Sequence, residues 1–422
     1  MSREMKETGI SYLGLIPDKW QKRRVKTLST CLDGKRIPVD ATLRVAGPYP
    51  YWGAGSIVDY VNDYIFDDTL VLVGEDGAPF FDDTRSVSIL SKGKIWVNNH
   101  IHVLKNNEAV MAEYLAYALR VVDYSDYLTG SVFPKLTQGN MNEIYLAIPP
   151  ILEQQAIVRY LDSKCSAIDE ALERHKKIIE KLEEYRGAEI ARLVSFQGAN
   201  DTYETNNIWF PTLPKNVSIS RIGMHFDVTL GKMLCPKQRD KNDTLERYYC
   251  AGDIHFDNIN QNGLKEMWFS PNEKKLYEVT NGDLLIVEGG AGAGNAFIVS
   301  EQSRTTYIQN SVLRIRASQT GSVRYLKYLI EHLVKHGYIA YACNTATFSH
   351  FTKDKVSLTP FPVTSFDVQE AIADRIDTVD GTVRKAQAKH ELIIEKLEEY
   401  RKSIIYNAVT GKIDCMEVTK NA

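Results

Sequence analysis

The sequence predicts an α+β protein: two globular domains, related by an approximate two-fold, joined by two long antiparallel coiled-coil helices. Three observations carry this expectation. The stretch IIEKLEEYR occurs at Ile178–Arg186 and again, 215 residues later, at Ile393–Arg401; an identity of nine residues marks a long internal duplication. Around each copy, apolar residues recur at alternating steps of four and three, the spacing of a seam between helices. Before each copy lie short β-like runs followed by a shorter helical run, in matched order.

The first unit opens at Ile16–Trp20, with Lys22, Arg23, Arg24 and Lys26 close behind, and then Gly34–Lys35–Arg36. Its counterparts are Leu213–Lys215 and Gly231–Lys232. Strands are predicted at Thr69–Gly74, Val87–Ser91, Lys94–Asn99 and Ile101–Lys105, from β-rich runs broken by turn residues. A helix is predicted at Glu113–Leu119, then an irregular segment at Gly130–Asn140, then Pro149–Pro150 ahead of the first long helix. The second unit repeats the order with strands at Asp283–Gly289, Asn295–Ser300 and Ser311–Ala317, a helix at Arg324–Ile330, and Phe361–Pro362 before the second long helix. Tyr114, Leu115 and Tyr117 correspond to Tyr325, Leu326 and Tyr328. The expected division is a first globule over residues 1–150, a first spacer helix over 151–198, a second globule over 199–362, and a second spacer helix with the C-terminal tail over 363–422.

In the first long helix the seam runs through Leu161, Cys165, Ile168, Leu172, His175, Ile179, Leu182 and Arg186. In the second it runs through Ile376, Asp380, Val383, Gln387, His390, Ile394, Leu397 and Arg401, with Val379, Ile393 and Tyr400 widening the apolar stripe. Gln154, Ala156 and Ile157 find Gln369, Ala371 and Ile372 at the same offset. Leu152–Arg186 holds no Pro or Gly, and as one helix it extends on the order of 50 Å at ~1.5 Å per residue. Pairing the two helices antiparallel carries each preceding globule to the opposite end of the rod.

Composition is that of an ordinary water-soluble protein, 44% hydrophobic and 25% charged over 422 residues. The N-terminal MSREMKETGISYLG has no apolar signal core, and no run approaches a membrane span, so a cytoplasmic location without membrane attachment is expected. Six scattered cysteines without a CxxC pair suit reduced thiols. Net charge is −3, so any polyanion-binding surface has to be local.

Catalytic signatures are sparse. Neither Gly34–Lys35 nor Gly411–Lys412 continues into a P-loop. The glycine cluster Gly289–Gly294 is followed by a strand-like run, where a dinucleotide loop needs a helix N-terminus, and reads as a hairpin or bulge. In GEDGA, Glu75 and Asp76 either close a turn or accept hydrogen bonds from cytosine amino groups at a loop tip. His100 and His102 alternate along a predicted strand, facing one side, but lack a third ligand, so no metal site is expected. Asn98 and Asn99, matched by Gln309 and Asn310, either pair with adenine or hold strand ends. Lys22, Arg23, Arg24, Lys35 and Arg36 in unit one, and Lys232, Lys237, Arg239 and Lys241 in unit two, either contact phosphates or are ordinary surface charge.

The proline-led helices containing LEQQAIVRYLD (Leu152–Asp162) and LEEYRKSIIYNAVTGKID (Leu397–Asp414), with the IPDKW entry, the GEDGA turn and WVNNHIHVL (Trp96–Leu104), resemble the DNA specificity subunit of type I restriction-modification systems. The resemblance implies two target recognition domains, each reading one half of a bipartite, asymmetric duplex site, with the helices fixing the spacing. It implies a recognition subunit without catalysis of its own. Two methyltransferase subunits would carry S-adenosylmethionine, and restriction subunits would use ATP and Mg; no cofactor is expected in this chain. Unit two lacks the GEDGA acids and the NNHIH histidines, so the two domains should not share a base-reading code. The alternatives are a self-contained DNA-modifying enzyme and a structural rod for protein partners.

Overall fold

The computed structural model describes residues 3–82, 85–130, 132–300, 304–318, 321–343 and 349–418; of the irregular Gly130–Asn140 segment, residue 131 lies outside them. Two helices of 44 residues, Ile151–Val194 and Phe366–Val409, dominate the chain. Each is about 66 Å long at ~1.5 Å per residue. The chain resolves into two compact units, and each helix contributes to both: one unit comprises residues 1–177 and 390–422, the other residues 178–389.

In the first unit a six-stranded sheet has the order 29–31, 101–106, 66–74, 88–97, 46–52, 57–61, all neighbours antiparallel except the 46–52/88–97 pair. Val71 and Val73 of the 66–74 strand enter one core with Tyr114 and Leu115 of the helix Ala112–Leu119, while Leu70 and Leu72 enter a second. This is the period-two burial expected of a strand covered on both faces. Ser88–Val97 is one strand where the sequence reading expected two, because Gly93 takes φ of 80° and bends the strand without ending it. A separate pair, Gln21–Arg24 against Tyr145–Ile148, leads into the first long helix.

The second unit holds two four-stranded sheets. One orders 226–230, 312–317, 284–287, 296–298 and packs against the helix Val323–Lys335. The other orders 265–269, 244–249, 306–308, 278–279. The Gly289–Gly294 cluster closes the antiparallel hairpin between 284–287 and 296–298, with Gly290 and Gly294 at positive φ.

Within each unit the long helices run antiparallel. In the first, His175 meets His390 and Asp169 meets Arg401, so numbers rise on one helix as they fall on the other. Leu161, Cys165, Ile168 and Leu172 are buried there with Ile404, Ile405 and Ala408. In the second, Arg186 meets Asp380, and Ile190 shares a core with Ala373 and Ile376. Val383 is buried, and Ile179, Leu182, Ile394 and Leu397 are half-buried. Ile393 and Tyr400, expected to widen the stripe, are exposed, because the four-three spacing places them beyond the seam.

One set of side chains fastens globule to helix in both units. Gln154 Oε1 accepts from Met111 N at 2.8 Å and its Nε2 donates to Ala109 O and Pro149 O. Gln369 Oε1 accepts from Ser322 N at 2.8 Å and its Nε2 donates to Thr364 O. Tyr117 donates to Asp162, and Tyr328 to the equivalent Asp377. The Tyr114 hydroxyl lies 2.7 Å from Ala147 O and 3.3 Å from Val409 O, and Tyr325 donates to Val194 O, so in each unit a tyrosine of the short helix reaches the end of the incoming long helix. Gln154, Gln369, Tyr114 and Tyr325 thereby satisfy backbone groups that would otherwise be orphaned, while Tyr117 and Tyr328 tie the short helix to a carboxylate of the long one.

Candidate nucleic-acid interface

In the first unit four turns are cross-braced: Asp33–Arg36, Gly74–Ala78, Asn98–His100 and the approach to Leu136. Asp33 Oδ1 accepts from Val103 N at 2.9 Å, and Oδ2 lies 2.5 Å from His102 Nδ1. The other nitrogen of His102 lies 2.8 Å from Leu136 O. Arg36 Nη1 donates to Glu75 at 2.6 Å and to Ile101 O at 2.9 Å, and Lys135 Nζ lies 3.0 Å from the second oxygen of Glu75. Burial works to raise the pKa of Glu75, but the hydrogen bonds from Arg36 and Lys135 hold it below its ordinary value. Asp33 is likewise held low, against its burial, chiefly by His102.

This brace changes how several sequence candidates read. Glu75 is 8% exposed with both oxygens occupied, so it is no loop-tip acceptor; the turn-closing role is the one the fold uses. His100 and His102 do not share a side: His102 is buried, whereas His100 sits in the exposed turn beside Asp76, because the strand begins only at Ile101. The missing third ligand is also found, since Cys31 and Asp33 lie beside His102. Both ring nitrogens of His102 face oxygens of the protein, and burial pushes the Cys31 thiol up to about 12, away from the thiolate that metals prefer. Asn98 Oδ1 accepts from His100 N at 2.9 Å, the turn-holding use of asparagine. Outward from the brace stand Lys35, Asp76, Asn99, His100 and Lys135, with Val132 and Phe133 beside them in sequence and strongly exposed. Lys135 and the two apolar residues were missed in the sequence; their signal was the KL pair closing an otherwise irregular segment.

Lys22, Arg23 and Arg24 belong elsewhere, on the strand pair that feeds the first long helix. Lys22 donates to Thr8 O, Arg23 to Thr27 O, and Arg24 to the hydroxyl of Tyr145 while also pairing with Glu143.

The second unit builds its turns differently. Gly231 approaches so close to Gln309 that a Cβ would run into its carbonyl, which explains the glycine of the Gly–Lys pair. Lys232 is buried, ion-paired to Glu273 and set over the Phe269 ring, so its charge is spent internally and does not reach the surface as expected. Gln309 is tied to Asn310 and Ser311. Lys237, Arg239 and Lys241 occupy a fully exposed loop, preceded by the exposed Met233 and Leu234. Thus an ion-paired, mixed-charge set of turns in one unit is matched by a basic loop in the other.

No helix among the described residues is long and apolar enough to cross a membrane. A sequence model of the type I restriction modification DNA specificity domain matches residues 17–184. A Haemophilus influenzae protein named as a type I restriction enzyme specificity subunit is 25% identical over 90% of this chain and 93% of its own length. The fold is similar to that of a chain in a structure of the assembly and conformational transition of a type I restriction-modification system, with TM-score 0.68 at 15% identity over 94% of this chain and 99% of that one. It is also similar to the HsdS subunit of Thermoanaerobacter tengcongensis, with TM-score 0.53 at 15% identity over 94% and 98%. The chain thus matches the type I restriction modification DNA specificity domain over residues 17–184, is similar over nearly its whole length to a protein named as a type I specificity subunit, and shares the fold of solved type I chains.

Proposed function

We propose that this chain is the non-catalytic reader of a cytoplasmic restriction-modification complex, each globule (residues 1–150 and 199–362) recognising one half of a bipartite, asymmetric duplex site. One observation carries the reading: the fastening set is duplicated while the turns are not. Gln154, Tyr114, Tyr117 and Asp162 recur as Gln369, Tyr325, Tyr328 and Asp377 with the same partners, so the frame is conserved between the halves of the chain. The outward turns differ in charge and in hydrogen-bonding groups, which is what two different half-sites require.

In this reading Lys35, Asn99, His100, Asp76 and Lys135 face DNA in the first unit. Lys237, Arg239 and Lys241 contact phosphates in the second, and Gln309 and Asn310 shape the turn against Gly231–Lys232. Lys22, Arg23 and Arg24 add backbone contacts that set orientation without carrying sequence information. The long helices hold the half-sites at a fixed separation, because duplex DNA advances ~3.4 Å per base pair. Two methyltransferase subunits bring S-adenosylmethionine, and restriction subunits bring ATP and Mg.

Mapping methylated adenines in cells that carry this chain with its methyltransferase partners tests the proposal. A bipartite motif of fixed spacing is expected, and exchange of one globule should change one half only. A continuous motif, or methylation indifferent to globule exchange, would overturn it.

A further inference from the structure

Exposed apolar side chains are scattered over both units, but among the described residues only two sequence-adjacent pairs of large ones have both members more than half exposed. Val132 and Phe133, 77% and 85% exposed, belong to the first unit; Met233 and Leu234, 74% and 55% exposed, belong to the second. Single exposed apolar residues need no explanation, whereas a pair standing clear of the surface does. Each pair also has cations close behind it in the chain: Lys135 in one unit, and Lys237, Arg239 and Lys241 in the other.

Both pairs are held out by what lies on either side of them. The strands Leu128–Thr129 and Lys135–Leu136 pair antiparallel and carry Val132 and Phe133 in the turn between them. Leu136 is buried, its N donates to Glu75 O at 2.7 Å, and Lys135 bridges to Asp76, so this hairpin is rooted in the braced turns. Gly130, with φ of 86°, closes the turn so tightly that a Cβ would lie 2.7 Å from Phe133 O. In the second unit Met233 and Leu234 lie between buried Lys232 and buried Cys235. The Cys235 Sγ donates to Lys237 O at 3.4 Å, and its carbonyl accepts from Trp268 N at 3.0 Å.

We propose that the two pairs are wedges, with Phe133 entering the base stack of one half-site and Met233 that of the other. The inference rests on the proposed reading of duplex DNA by the globules. Phe, Met and Leu are among the side chains that proteins insert between base pairs, and a duplex offers them an apolar stack flanked by phosphates that the neighbouring cations can hold. A protein partner would supply the apolar contact but give the flanking cations no role. Insertion unstacks one step and bends the duplex, so each half-site gains a preference for easily opened pyrimidine–purine steps where no hydrogen bond reads the bases.

The test uses the assembled methyltransferase complex on duplexes carrying the methylation-mapped motif, with 2-aminopurine placed at successive positions. Away from the methylated adenine, emission should rise at one step in each half-site. Phe133→Ala should abolish the rise in the first unit's half-site only and weaken specific binding about tenfold. Met233→Ala should abolish the rise in the other half-site only. The salt slope should stay unchanged in both, since no phosphate contact is removed. Phe133→Leu should keep the rise, which a misfolded unit could not do. A parent complex that fails to discriminate the mapped motif from a scrambled duplex would sink the reading of the globules as DNA readers, and the wedges with it. Discrimination without any such rise overturns the wedges alone, as does loss of complex assembly in Phe133→Ala, which would make the tip a protein contact.

Discussion

Arg186 and Arg401 close the two copies of the same nine-residue word, so the sequence treats them alike, yet their replacement should have very different consequences. Arg186 is buried, with Nη1 2.5 Å from Glu331 Oε1 and Nε 2.5 Å from Asp380 Oδ1. Glu331 is 1% exposed. Arg186→Ala therefore strands a buried carboxylate, a change that costs about 3–5 kcal/mol in general. Lys327 at 3.4 Å and Lys335 at 3.2 Å remain to offset Glu331, which puts the expectation near the lower end, about 3 kcal/mol. Arg401 instead pairs with an Asp169 side chain that is 63% exposed, and solvent screens that pair. Arg401→Ala should cost only about 0–1 kcal/mol. Urea unfolding of the parent and both variants, followed by tryptophan fluorescence and circular dichroism, measures the difference. Equal costs for the two variants would refute the argument, since they would show that burial of the Arg186 cluster does not set its energetic weight.

Three further outcomes are expected. Burial alone would raise the pKa values of Glu331 and Asp380, but hydrogen bonds from Arg186 hold both below their ordinary 4.5 and 3.8. Because these folded-state values are depressed, their contribution is complete above about pH 4.5 and is lost as pH falls through the folded pKa values; Arg186→Met should flatten that acid limb in a stability-against-pH series. Gln154→Ala and Gln369→Ala should each cost about 1–3 kcal/mol by leaving Met111 N or Ser322 N unpaired, measured by chemical denaturation, and should blur half-site spacing in methylation maps. Neutralising Lys237, Arg239 and Lys241 should weaken DNA binding by the assembled methyltransferase complex equally for specific and scrambled duplexes. The salt slope should shrink by about 0.9 per phosphate contact removed, as read from titrations at several salt concentrations; an unchanged slope would remove this loop from the interface.

The sequence alone determined the plan of this protein. A duplicated word and a four-three apolar rhythm are local, periodic signals, and burying such a stripe leaves few options besides a long helix against a second one. Matched Tyr and Gln positions were visible too, as letters without a role. Tertiary structure decided which of those letters mattered and how. Gln154 and Gln369 became clamps only once Met111 and Ser322 were brought beside them, and hydrogen-bond partners more than 40 residues away leave no trace in spacing. Glu75 and Lys232 looked like surface charge because a lone residue does not announce its counter-ion; folding supplied Arg36 and Lys135 to one and Glu273 to the other, and so removed both from the surface. The same holds for the repeat itself. Its two arginines are identical in the chain, and only the presence of Glu331 above one of them makes it a buried anchor.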